Sequence, residues 1–225
     1  MTRAVIFDID GTLVDSVPSH ARAWQEALKH FGFDLTYGQC WEQIGKGGDQ
    51  LLPALIPAEI AERSEEEISD FRSKLFKEKY LPRVKAFPAV RELFERLRAD
   101  GKRVALASSA KADELAAYKK IAGIEDLVEA ETSSDDAEKS KPHPDIFHAA
   151  LDRLGNPDPA GVVVVGDTPY DAEAAGKAGV RTVGVLGGGW PAETLRAAGC
   201  VAVYRDPAAL LEQYEEVFSV SCRGV

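Results

Sequence analysis

The chain is expected to fold as an α/β protein, a doubly wound parallel-sheet core carrying one inserted all-α segment. Three observations support this. Short runs rich in Val, Ile and Leu recur along the chain and read as strands buried on both faces. Segments with helical apolar spacing alternate with them, as a parallel sheet covered on both sides requires. Residues 16–85 break the alternation and hold helical patterns with no convincing strand.

The first strand is Ala4-Val5-Ile6-Phe7, and it runs into Asp8-Ile9-Asp10-Gly11-Thr12-Leu13. The insert follows. Ala21, Trp24, Ala27, Leu28 and Phe31 form one amphipathic stripe, and Ile68, Phe71, Leu75 and Phe76 form another. Ser16-Val17-Pro18 and Phe87-Pro88 punctuate its edges. The expected organisation is therefore a core of residues 1–15 and 86–225 and a helical domain of residues 16–85, joined by two adjacent linkers that would make a hinge.

Past the insert, residues 89–99 carry Val90, Leu93, Phe94 and Leu97 at helical spacing. A strand over 104–107, a helix over 113–121 and a weaker strand near 127–130 come next. Residues 144–154 read as a helix, 162–165 as a strand, 170–178 as a helix and 182–186 as a strand. A second weak strand is expected near 201–204. Pro207 opens a last helix reaching Phe218, since proline favours a first helical turn. The tail from Ser219 is expected to fray.

Composition narrows the function classes. At 225 residues the chain can bury a full core, and its 45% hydrophobic and 28% charged residues are ordinary for a globular protein. The formal net charge of −10 argues against nucleic acid or an anionic membrane as partner. A phosphate ester remains compatible, because a local cation can reverse the field inside a cleft. Cys40, Cys200 and Cys222 are odd in number and lack metal-type spacing, so they read as reduced thiols. No run of residues is long and apolar enough for a membrane span, and no signal-peptide pattern opens the chain. A cytoplasmic monomer is the expectation.

The chemistry-bearing residues fall where strands end, which in an open parallel sheet is where ligands sit. Asp8 and Asp10 follow the first strand, Ser108 and Ser109 the second, and Gly166-Asp167 the fourth, with Asp171 four residues on. Lys141, in Lys139-Ser140-Lys141-Pro142, precedes a helix. Two carboxylates at the tip of a buried strand repel each other and cost desolvation unless a cation joins them. Taken singly, Ser108 also suits a helix cap, Lys141 a solvated surface position, and Asp167 a cap of the next helix.

In order, these motifs resemble the haloacid dehalogenase-like hydrolase superfamily along essentially the whole chain. Asp8-Ile9-Asp10-Gly11-Thr12 matches its first motif, Ser108 the second, Lys141 the third, and Gly166-Asp167-Thr168-Pro169-Tyr170-Asp171 the fourth. The helical insert resembles the cap of the subgroup that holds phosphoglycolate phosphatase and β-phosphoglucomutase. The resemblance implies a Rossmann-like core and hydrolysis of a small phosphorylated metabolite through an aspartyl-phosphate. Asp8 would be the nucleophile and Asp10 the acid and base. Mg²⁺ would be held by Asp8, the Asp10 carbonyl and Asp167, with Asp171 steadying the site from behind. Ser108, Lys141 and the backbone N–H groups of Ile9 and Ser109 would hold the phosphoryl oxygens.

Substrate choice would rest with the insert. His20 and Trp24, one turn apart, and the Gly45-Lys46-Gly47-Gly48 loop are its candidate contacts. The alternative reading is mutase chemistry between sugar phosphates, but the loop offers Lys46 and no arginine for a second phosphate. Dehalogenation is disfavoured by Asp10. A phospho-accepting receiver domain, the alternative of another class, fits neither the Asp-x-Asp-Gly-Thr start nor the insert.

Overall fold

The computed structural model describes residues 2–219. Cys222 and the expected frayed tail beyond Ser219 lie outside the described residues. β1 (Ala4–Phe7), β2 (Arg103–Ala107), β3 (Ala130–Thr132), β4 (Val162–Gly166), β5 (Arg181–Val185) and β6 (Cys200–Tyr204) form one sheet in the order β3-β2-β1-β4-β5-β6. Every neighbouring pair is parallel. The strand order reverses at β1, between β2 and β4, and this makes the crevice at their carboxyl ends the natural ligand site.

The pleat of β1 explains its uniform apolarity. Val5 and Phe7 point into one core cluster, Ala4 and Ile6 into another on the opposite face, and all four are fully buried. The insert contributes α1 (Val17–His30), α2 (Tyr37–Trp41), α3 (Gly48–Leu55) and α4 (Ala58–Leu75), with a π-helical turn (Phe76–Tyr80) and a 3₁₀ turn (Leu81–Arg83) leading out. Its own core gathers Ala21, Trp24, Leu28, Cys40, Leu51, Leu52 and Ile68. Phe76, Tyr80 and Val84 instead join the sheet's core cluster. Entry and exit lie side by side: Val14 bridges Ala86, and the Asp15 N–H donates to the Lys85 carbonyl at 2.8 Å.

α5 (Val90–Ala99), α6 (Ala112–Ala122), α7 (Asp145–Arg153) and α8 (Pro169–Lys177) follow their expected places, while α9 (Ala192–Ala197), between β5 and β6, is a helix that the sequence pattern did not announce. Two expectations shift. The weak strand near 127–130 forms instead at β3, because Leu127 and Val128 pack against the core from a turn and Ala105–Ala107 pair with Ala130–Thr132. The single last helix is two, α10 (Pro207–Glu212) and α11 (Tyr214–Phe218), broken at Gln213. The break lets Leu210, Tyr214, Val217 and Phe218 all reach the sheet's core.

Gly11 takes φ +78°, and a Cβ there would run into the Asp167 carboxylate. Its turn brings the end of β1 against the end of β4. Gly11→Ala is therefore expected to lower stability by about 1–3 kcal/mol; an unchanged urea midpoint would contradict this account.

Candidate active site

β1, β4 and the segment before α7 place their polar residues at one point. Lys141, only 1% exposed, reaches Asp8 Oδ1 at 2.5 Å, Asp171 Oδ1 at 2.7 Å and the Ala107 carbonyl at 3.3 Å. Thr12 donates to Asp167 Oδ1 at 3.1 Å and lies 3.3 Å from Asp8 Oδ2. Thr168 opens α8 as an N-cap, and its N–H and hydroxyl donate to Asp171 Oδ2 at 3.1 and 2.6 Å. That capping box fixes Asp171 from the helix side while Lys141 holds it from the other.

The cluster is short of positive charge. Asp8, Asp167 and Asp171 are all buried and offer oxygens within 4.8 Å of one another, against one lysine among the described residues. Burial acts most strongly on Asp8 and, with the charges of Asp171 and Asp10, outweighs Lys141 to push its carboxyl up to about 7. Burial, then Asp8 and Asp171, raises Asp167 well above the carboxylate range. For Lys141, burial works against the charge, but Asp171 and Asp8 prevail and hold its pKa above the ordinary value.

The donor set fits a hard divalent cation. Asp167 Oδ2 is buried with neither a hydrogen bond nor an ion pair, whereas Asp171 Oδ2 accepts from Thr168 and its Oδ1 is ion-paired to Lys141 at 2.7 Å. Oxygen-only ligation through one or two carboxylates suits Mg²⁺. Asp8 and Asp167 are the residues whose side chains would hold it.

Asp10 lives in different surroundings. Its Oδ1 accepts from the Ser16 hydroxyl and lies 2.9 Å from His20 Nε2, which is also 2.8 Å from the Tyr118 hydroxyl. The His20 ring stacks on Phe76 at 3.9 Å. Burial alone would raise Asp10, yet the charge and hydrogen bond of His20, with hydrogen bonds from Ser16 and Tyr118, hold its pKa below the usual value. Thus two carboxylates two residues apart are driven in opposite directions.

Asp8 and Asp10 open onto one cavity of about 60 Å³ between sheet and insert. Of the residues expected at the site, His20, Trp24, Lys46, Gly47 and Ser109 also line it. Ser108 is fully buried and caps the turn by accepting from the Ala110 N–H at 3.1 Å. Ser109 Oγ lies 3.4 Å from the Gly45 carbonyl. Ile9 is 1% exposed, its side chain in the sheet's core. Lys46 is spent partly within the insert, on Gln43 Oε1 at 2.6 Å and over the Tyr170 ring at 4.5 Å. His20 faces Asp10 as well as the cavity.

Sequence reasoning missed Thr12 as a carboxylate partner, and Ser16, Arg72, Glu114 and Tyr118 altogether. Thr12 was visible inside the first motif. Ser16 reads only as punctuation before α1, and the other three sit on ordinary helical patterns and carry no local signal. The insert is seated on the core by further contacts: Trp41 stacks on Trp190 at 5.0 Å and donates to the Gly188 carbonyl at 3.2 Å, and Tyr170 donates to the Glu42 carbonyl at 2.6 Å.

Comparison with known proteins agrees with this fold. Residues 2–179 match the family described as haloacid dehalogenase-like hydrolase. A phosphorylated carbohydrates phosphatase of Thermotoga maritima is 30% identical over 95% of this chain and 99% of its own. A phosphoglycolate phosphatase of Aquifex aeolicus is 31% identical over 83% and 85%. The crystal structure of a hydrolase from Pseudomonas syringae superposes with a TM-score of 0.85 at 32% identity, covering 95% of this chain and 98% of that one. With the family model matched over residues 2–179 and relatives aligned nearly end to end, this chain belongs to the haloacid dehalogenase-like hydrolases.

Proposed function

We propose that the protein is a Mg²⁺-dependent phosphatase that hydrolyses a small phosphate monoester through an aspartyl-phosphate on Asp8. The observation that carries the reading is Asp8 itself, on the wall of the cavity, ion-paired to Lys141 and beside the partnerless oxygen of Asp167. When bound, Mg²⁺ would supply charge neutralisation for the phosphoryl oxygens. The chain's own groups do the rest. Lys141 orients Asp8 and offsets negative charge as the phosphoryl group approaches. Asp8 attacks phosphorus in line, and the bond to the leaving oxygen breaks. Asp10, whose carboxylate form is favoured by Ser16, His20 and Tyr118 in the free protein, must first take up a proton, which it then gives to that oxygen. The carboxylate so formed takes a proton from water as water displaces phosphate from Asp8. Ser108 and the N–H groups of Ile9 and Ser109 hold phosphoryl oxygens, and residues 16–85 serve as the cap that excludes bulk water.

Mutase chemistry gains no support from the cap loop, where Lys46 is turned to Gln43 and Tyr170. The test is phosphate release from a broad panel of phosphometabolites with Mg²⁺ present; turnover of none of them rejects the reading. Asp8→Asn is expected to cut kcat at least about a thousandfold while circular dichroism stays native. Substantial residual turnover would exclude Asp8 as nucleophile. Mg²⁺ is expected to raise the thermal unfolding midpoint of the wild-type protein and to lose that effect in Asp167→Asn, since a ligand that binds only the folded state stabilises it. An equal shift in both proteins would move the metal elsewhere. Lys141→Met strands three buried acids, and metal-free stability should fall by about 3 kcal/mol or more in denaturant titration.

A further inference from the structure

The cavity holds a second set of polar groups that phosphoryl transfer does not use. Arg72 of α4 lies over the Trp24 indole at 5.1 Å, its side chain 13% exposed. Its nearest carboxylate, Glu114 of α6, is 3.5 Å from one terminal nitrogen, longer than a charge-assisted hydrogen bond. Arg72 Nε is buried with no hydrogen-bond partner. Glu114 is 1% exposed and takes a firm bond on its other oxygen, from Ser73 Oγ at 2.7 Å. Ser69, one turn before Arg72, also has a buried hydroxyl without a partner; a Cβ on the cavity residue Gly48 would meet it at 2.6 Å. Arg72, Glu114, Trp24 and Gly48 line the same cavity as Asp8 and Asp10.

Unfilled buried donors cost stability unless a ligand completes them. The arrangement also selects what that ligand is. An Arg–Glu pair left long can be bridged by a hydroxyl, which accepts from the guanidinium and donates to the carboxylate at once. A carboxylate or second phosphate could only accept, and it would face the buried charge of Glu114. The positive charge of Arg72 is already balanced by Glu114, so the pair carries no net attraction for an anion.

We propose that Arg72 and Glu114 form the leaving-group subsite of this enzyme, and that it recognises a neutral, hydroxyl-bearing leaving group of the sugar or polyol class. Trp24 supports the guanidinium from behind. The subsite is split between the insert, which supplies Arg72, and the core, which supplies Glu114, so it exists only when the insert sits on the sheet as it does here. The proposal rests on the phosphatase reading above and adds the leaving group to it.

The experiment compares kcat/KM for three kinds of probe on the full chain with Mg²⁺: hexose and pentitol phosphates, phosphoglycolate, and acetyl phosphate, whose leaving group has no hydroxyl. The wild-type protein is expected to prefer at least one sugar or polyol phosphate over phosphoglycolate. In Glu114→Gln the ratio of kcat/KM for that substrate over phosphoglycolate should fall by about tenfold or more, mainly through KM. Arg72→Lys, which keeps the charge and loses the fork, should lower the ratio of sugar or polyol phosphate over acetyl phosphate in the same direction. It supplies the test should Glu114→Gln not fold. Preference for phosphoglycolate in the wild type, or ratios unchanged within about twofold in the folded variants, overturns the subsite. Turnover of acetyl phosphate with such unchanged ratios leaves the phosphatase reading standing and removes only the subsite. Absence of turnover on every probe, acetyl phosphate included, overturns both.

Discussion

A deficit of positive charge beneath the cavity governs the rest of this structure. Among the described residues Asp8, Asp167 and Asp171 are buried together, and a single lysine, Lys141, pairs with Asp8 and Asp171. Such a cluster is tolerable only where geometry is tightly determined, because each unpaired buried charge costs several kcal/mol. The fold meets that demand at the reversal of strand order, where β1 and β4 lie side by side and deliver their carboxyl ends to one point. Small residues close the approach. Gly11 and Gly188 both pass so near the Asp167 carboxylate that neither could carry a Cβ unmoved. The remaining imbalance is what a divalent cation would correct, and Asp167 Oδ2 is the atom left with nothing else to bind.

The insert is coupled to this cluster at several separate places. Its first helix supplies His20 to Asp10, its loop brings Gly45 to Ser109, and α4 brings Arg72 and Ser73 to Glu114. On the outer rim, Lys77 pairs with Asp113 and Asp70 with Lys111. Those rim pairs are exposed, and each is worth little. Trp41 against Trp190 and the buried Glu114 contacts are better placed to define the seated position, since they combine apolar burial with hydrogen bonds that water cannot easily replace.

The parts of this molecule legible in the sequence are those set by local pattern. Ala4–Phe7 and Val162–Val165 announce buried strands because every residue in them is apolar, and both core faces need that. Asp8, Asp10 and Asp167 stand out because several acids gathered at the ends of buried strands are costly without a cation to join them. By contrast, Glu114 and Arg72 look like the solvated charges of two unremarkable helices; only the docking of α4 on α6 buries them against each other. Tyr118 reads as core, and it is core, but its hydroxyl reaches His20 from 98 positions away along the chain. β3 was misplaced for a related reason. Leu127 and Val128 have the apolarity of a strand, yet they spend it in packing from a turn, and the pairing register that selects residues 130–132 is decided by β2.

The two aspartates of the first motif show how a one-residue separation becomes a division of labour. Asp8 leaves β1 toward the β4 side, into a pocket where its neighbours are other acids and a lysine. Asp10, beyond the strand and on the turn closed by Gly11, faces the insert, where its partners are a hydroxyl and an imidazole. Burial tends to raise both carboxyls. What separates them is the company each keeps, acids for Asp8 and donors for Asp10, so one rises to about 7 and the other falls. Two of the three donors to Asp10, Ser16 and His20, belong to the segment that leaves the core, while Tyr118 belongs to the core itself. A shift of α1 relative to the sheet would therefore strip Asp10 of two of its stabilising partners, Ser16 and His20, while leaving the contact of Asp8 with Lys141 in place. On the proposed reading, the group that would move protons is thereby set by the position of the insert, and the group that would attack phosphorus by the sheet and Lys141.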